Sequence, residues 1–277
     1  MAQIGKRNSL KVISEEDFGF YLDAAKLGRA LLKPSPDESL PELGAEVDVF
    51  LYYDKSDTLI ATFKQPKIEV GQVAILKIAD INSTGAFAEW GLPKNLLIPY
   101  AQQSRNMVKG LHYPVFCYED KNNGKLVGSA KLSKHLAEIT TSLEAKQKVQ
   151  LLICGKSKLG YKAVINNTYL GLIHHEDAFR SLKLGDQIDG YVKDIREDGK
   201  INLAVHLANS EQLGVLASKV FEDLQLNKST NLTDKSPPDL IYKKWNVSKG
   251  SYKKALGKLY KQRLIEISKD QIKLIDS

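Results

Sequence analysis

The chain has 277 residues, 43% of them hydrophobic and 26% charged, with a net charge of +7 and only two cysteines. That length exceeds one compact core and predicts two or more domains, and the ordinary apolar content predicts folding rather than disorder. Cys117 and Cys154 each stand alone in an apolar run, which speaks against a disulfide framework or a zinc site. The opening MAQIGKRNSLK holds no apolar run that reads as a secretory signal. No stretch approaches the roughly 18 apolar residues of a membrane span. The expectation is a cytoplasmic protein without a membrane partner.

In chain order, three copies of one unit come first. Gly19, Gly85 and Gly160 anchor them; 25 residues later stand Gly44, Gly110 and Gly185, and 14 residues earlier stand Gly5, Gly71 and Lys146. After each anchor comes a short strand, a polar turn, and a strand ending in an aliphatic pair: Leu31-Leu32, Leu97-Ile98 and Leu172-Ile173. Beyond the second glycine, alternating strands such as His112–Tyr118 and Gln187–Val192 lead into polar hairpins at Asp54–Asp57, Lys121–Gly124 and Glu197–Gly199. Asn123-Gly124 and Asp198-Gly199 predict turns with positive φ at both residues. A short helix, such as Tyr100–Met107, is expected between strands three and four. Five short strands per unit, rich in β-branched and aromatic residues, predict a small closed barrel. Gln65-Pro66-Lys67 and Leu132–Lys146 read as linkers.

The remaining residues change character. Leu213, Leu216, Ala217, Val220, Phe221 and Leu224 recur at helical spacing and predict a helix over Glu211–Gln225. Ser236-Pro237-Pro238-Asp239 reads as a helix start with a capping serine, and that helix runs to about Trp245. A third helix is expected over Ser251–Gln262, then a hairpin of Leu264–Ser268 with Gln271–Ile275, and the set makes a winged helix-turn-helix. The third helix carries Tyr252, Ala255, Leu256, Leu259 and Tyr260 on one stripe and Lys253, Lys254, Lys258 and Lys261 on the other, with Lys249 just ahead of it. Residues 239–277 hold 10 Lys/Arg against 4 Asp/Glu, whereas 1–210 hold 27 against 25. Such a concentration of positive charge points to phosphate, the alternative being a solvated lysine face.

The anchor glycines, the aliphatic strand end and the spaced second glycine resemble the S-one RNA-binding repeat. Three such repeats followed by a winged helix resemble the conserved virulence factor B family of bacterial regulators. The resemblance implies a mainly β chain with a C-terminal α+β domain: three tandem OB-type five-stranded barrels over 1–66, 67–133 and 146–208, then a winged helix over 209–277. It also implies stacking groups just before and two residues after each anchor, with a histidine ending strand three. Those positions hold Phe18, Tyr21 and Lys33 in the first copy, Thr84, Phe87 and Pro99 in the second, and Leu159, Lys162 and His174 in the third. Single-stranded bases stack on exposed rings whatever their sequence. Plain strand packing is the alternative for Phe18, Tyr21 and Phe87, and a loop role for His174. Lys156 and Lys158 lie close to Lys162 in strand and turn and add phosphate contacts on this reading.

Gly155 to Gly160 has P-loop glycine spacing, but Tyr161-Lys162 follows where Lys and then Ser/Thr belong, and no helix begins there. His174-His175-Glu176-Asp177 lacks distant metal-ligand partners. No nucleophile–base or dinucleotide signature occurs. The expectation is therefore a non-enzyme without cofactor or small-molecule substrate, a post-transcriptional regulator of gene expression whose partner is single-stranded RNA. Two alternatives stay open: a DNA-binding transcriptional regulator acting through the winged helix, and a non-catalytic subunit of an RNA-processing complex. The sequence assigns no oligomeric state.

Overall fold

The structure is a computed structural model that describes residues 1–35, 38–178, 181–205 and 210–275. The chain divides into two compact units, Met1–His135 and Leu136–Ser277. In the first, β1 (Arg7–Glu16), β2 (Gly19–Asp23), β3 (Arg29–Leu32), β4 (Glu46–Tyr53) and β5 (Leu59–Thr62) close a barrel in the order β1-β2-β3-β5-β4. The second barrel repeats that order with β6 (Val73–Asn82), β7 (Gly85–Glu89), β8 (Leu96–Pro99), β9 (His112–Glu119) and β10 (Leu126–Ser129). In the other unit, β11 (Lys148–Lys156), β12 (Gly160–Ile165), β13 (Tyr169–His174), β14 (Gln187–Ile195) and β15 (Ile201–Ala204) close the third. The parallel contact falls each time between the third and fifth strands.

The sequence repeat is a repeat of backbone conformation. A Cβ on Gly19, Gly85 or Gly160 would lie 2.5, 2.4 or 2.0 Å from the carbonyl oxygen of Leu32, Ile98 or Ile173, so any side chain there would push the second and third strands apart. Gly5, Gly71 and Lys146 share φ values of 75°, 87° and 70°. Their N–H groups donate to Leu51, Cys117 and Val192 at 2.7, 2.9 and 2.7 Å. Lysine thus occupies the left-handed position that glycine holds in the other copies. Each long first strand is also bulged at one shared register, at Val12/Ser14, Ile78/Asp80 and Ile153/Gly155. The bulge bends the strand so that it pairs with both neighbours in a closed barrel.

Alternation along each strand fills the barrels, with Val49 and Leu51 facing the first core. Phe50 and Tyr52, on the other face of β4, pack edge-on against Trp90 at 5.9 and 6.4 Å between ring centroids, and so belong to the second barrel's core. Lys94 Nζ donates to the carbonyls of Tyr53 and Asp54, both at 2.9 Å. The first two barrels therefore share one continuous apolar contact. Residues expected as linker after Leu132 instead add to the third barrel: Ala137 bridges Tyr169, Ile139 bridges Lys200, and Leu143 is buried in its core.

The winged helix comprises α1 (Ser210–Asn227), α2 (Pro238–Trp245) and α3 (Lys249–Lys261) with a sheet of β16 (Ser229–Thr230), β18 (Ile272–Leu274) and β17 (Ile265–Ile267). Leu216, Val220, Leu224, Ile241, Tyr252, Leu256 and Leu259 form its core. The expected boundary at 208/209 lies outside the described residues.

Several expectations are corrected. Strand β16 adds to the expected elements, being only two residues long inside a polar loop. Ser236 does not cap α2: its hydroxyl accepts from Thr233 N, and Pro237 stands at the cap. Helix α3 starts two residues early because Ser248 caps it, accepting from Ser251 N at 3.1 Å. Tyr260 leaves the apolar stripe and is 57% exposed. The helix expected over Tyr100–Met107 is a single 3-10 turn, Tyr100–Gln102. In the second and third hairpins Gly124 and Gly199 take positive φ but Asn123 and Asp198 do not, and in the first Asp57 takes it at 59°. The loops carry more than two residues, so one left-handed residue suffices to close them.

Candidate nucleic-acid interface

Each barrel presents its candidate residues around the anchor glycine. In the first copy Phe18 sits in the β1–β2 turn, 70% exposed, and Tyr21 is half-buried on β2. Lys33 is exposed, its Cγ 3.5 Å from where a Gly19 Cβ would stand. The Tyr21 ring is already covered by the Arg29 guanidinium at 4.0 Å, and Arg29 is held by Glu16 and by Ser14 Oγ at 3.1 Å. That guanidinium holds the Glu16 carboxyl below the usual carboxylate range. In the second copy Phe87 is half-buried on β7, opposite Asp80 and Leu97. Thr84 ties its hydroxyl back to Asn82 Oδ1 at 2.6 Å.

The third copy differs because the winged helix is docked on it. Ser181 donates its N–H and hydroxyl to the two Asp239 oxygens at 2.6 and 2.8 Å. The first turn of α3 lies against the 3-10 turn His175–Asp177, where a Cβ on Gly250 would stand 2.9 Å from Glu176 O. Asp177 is fixed in turn by Lys193 Nζ at 2.6 Å. Between barrel and winged helix remains an open cleft of about 450 Å³ lined by Lys156, Tyr161, His174, His175, Glu176 and Lys249, among others. Both α2 and α3 begin there, so the positive ends of two helix dipoles add to Lys156 and Lys249; Glu176 is the one carboxylate among the described lining residues, while Asp239 and Asp177 beside the two helix starts are paired with Ser181 and Lys193. His174 Nε2 meets Asn202 Oδ1 at 3.2 Å, and Asn202 donates to Asp194 at 2.7 Å, which sets the imidazole at the cleft wall.

Lys156, His174 and Lys249 thus come together, although 93 residues of sequence separate the first from the last. Lys158 and Lys162 are exposed but do not line the cleft. Lys253, Lys254, Lys258 and Lys261 are exposed on α3, opposite buried Tyr252, Ala255, Leu256 and Leu259. Sequence reasoning missed Arg29, Tyr100, His175 and Ser181. Tyr100 and His175 share one repeat position, 15 residues after the anchor, and that register was the available signal. The two thiols are far from reactive: burial pushes Cys117 up to about 12 and Cys154 to about 11. Among the described residues no three His, Cys, Asp or Glu side chains are grouped to hold a metal ion. No described helix is long and apolar enough to cross a membrane.

The family described as S1 domain matches residues 4–64, and the CvfB-like winged helix domain matches residues 218–274. The conserved virulence factor B of Staphylococcus saprophyticus is 25% identical over 289 residues, covering 98% of this chain and 94% of its own. The chain is similar to conserved virulence factor B from end to end. YitL of Bacillus subtilis is likewise 25% identical over 274 residues, covering 93% of this chain and 89% of its own. A Streptococcus pneumoniae crystal structure, described as a multidomain protein with nucleic acid binding domains, is 22% identical with 98% of both chains covered and a TM-score of 0.42. In this CvfB-like chain the S1 match falls on the first barrel and the winged-helix match on α1 through β18.

Proposed function

We propose that the protein binds single-stranded RNA and acts after transcription on gene expression, as a binding module and not as an enzyme. The Staphylococcus saprophyticus relative carries virulence in its name, and the reading extends to virulence genes in some bacteria. We take its compartment to be the cytoplasm and its folding units to end near residues 66, 133 and 208. The observation that carries the reading is the cleft where Lys156 and His174 meet Lys249, on the same winged helix that exposes four further lysines along α3. An open groove lined by both cations and rings suits a flexible strand, whose phosphates and bases separate to reach both. Duplex DNA is the poorer fit. A helix-turn-helix reads base edges with the first residues of its recognition helix, and here Gly250 is packed on the third barrel.

The test compares single-stranded RNA, single-stranded DNA and duplex DNA of one length at several salt concentrations. Tighter binding of the single strands is expected, RNA first. Replacing Lys253, Lys254, Lys258 and Lys261 together by Gln should weaken binding at low salt. It should flatten the log–log salt dependence by about 0.7 for each phosphate no longer neutralised. Preferred binding of duplex DNA, or an unchanged slope in a variant of unchanged melting temperature, would overturn the reading.

A further inference from the structure

We propose that Tyr100 is a base-stacking position of the second barrel, an inference that rests on the single-strand reading above. Phe18, which stands in the β1–β2 turn of the first barrel, is a largely exposed ring. The repeat-equivalent residue of the second barrel is Thr84, which offers no ring and bonds back to Asn82 through both its amide and its hydroxyl. A ring nevertheless stands at this turn. It comes from the other side of the anchor, because Gly85 pairs with Pro99 and the next residue is Tyr100. The Tyr100 hydroxyl donates to the carbonyl of Asn82 at 2.7 Å, which ties the ring to the turn that joins β6 to β7.

The residue is 51% exposed in spite of that tether. A tyrosine placed for packing alone would be buried; this one is held at its hydroxyl end and stays half exposed. Holding the ring in advance removes part of the ordering cost that a base would otherwise meet on stacking. The second barrel therefore presents Tyr100 together with Phe87, where the first presents Phe18 together with Tyr21. The ligand class is an unpaired nucleobase, and stacking reads neither the sugar nor the base edge.

The experiment titrates the full chain, as Y100A, Y100F and Y100W beside the wild type, with a fluorescent twelve-nucleotide oligouridylate and its oligothymidylate counterpart. The Y100A variant should lose about five- to 150-fold in affinity for both probes, as expected for one stacked base. Y100W should keep most of the affinity and Y100F should lose less than Y100A, because both retain a ring. Equal loss in all three, accompanied by a lowered melting temperature, would make the tether structural and overturn the proposal. Unchanged affinity of Y100A for a probe the wild type binds would overturn it and leave the single-strand reading standing. Failure of the wild type to bind either probe would overturn both.

Discussion

Gly250 holds the winged helix against the third barrel, and its replacement by alanine separates two effects of opposite sign. A methyl group in the first turn of α3 favours helix, by at most about 1 kcal/mol. It would also stand 2.9 Å from the Glu176 carbonyl oxygen and 3.5 Å from Asp177 Oδ1. Glu176 O is backbone, and Asp177 is pinned by Lys193, so neither moves aside as a free side chain would. Overpacking of this kind costs about 1–3 kcal/mol. The net expectation is that docking weakens by about 1–2 kcal/mol, or roughly five- to 30-fold in the ratio of docked to undocked molecules, while α3 itself does not weaken. Hydrogen exchange on the full chain distinguishes the two. The Ser181 amide is bonded to Asp239 and reports docking; the Tyr252 amide is bonded to Ser248 within α3 and reports the helix. In G250A the Ser181 amide should exchange some five- to 30-fold faster while the Tyr252 amide exchanges no faster than in the wild type. An unaltered Ser181 rate would show that the turn yields without cost, and the steric argument would fall.

Two further outcomes are expected. Gly71 and Lys146 share one left-handed position, Gly71 has open space at its Cβ, and a non-glycine residue there costs about 1–2 kcal/mol, less about 0.4–1 for the lost freedom of the unfolded glycine; G71K should therefore destabilise its barrel and K146G stabilise its own, each by up to about 1.5 kcal/mol, and loss of stability in both would refute the shared strain. His135 stacks on Phe116 and Tyr118 at 4.7 and 4.8 Å with Nε2 buried and unpartnered, and burial, then Lys134, lowers its pKa. Its unfolded form takes up a proton first, so this contribution is complete above about pH 6.5 and fades as pH falls towards the depressed folded value; protection of the Cys117 amide should drop between pH 7.5 and 5 by more in wild type than in H135F, and equal drops would count against it.

Much of the architecture was legible because it is written in local conformation. A glycine that must pass within touching distance of a carbonyl leaves the same mark in every copy. Three copies in register therefore exposed the barrels before any contact was known. The two faces of α3 were legible for the same kind of reason, since a helix buries every third or fourth residue. Tyr260 escaped that rule because it lies on the margin of the apolar stripe, one residue on from buried Leu259, and periodicity does not report how wide a face its neighbours cover. Asp239 has the spacing of half a capping box; its carboxylate instead binds Ser181, 58 residues away. Lys249 looks like one more basic residue of a turn, and only the docking of α3 on the third barrel places it with Lys156 and His174. Local preferences act over a few residues and recur with a period, so the sequence by itself determined the three barrels and the lysine face. The cleft between barrel and winged helix arises from surfaces that meet once, carry no period, and are defined only when the chain has closed.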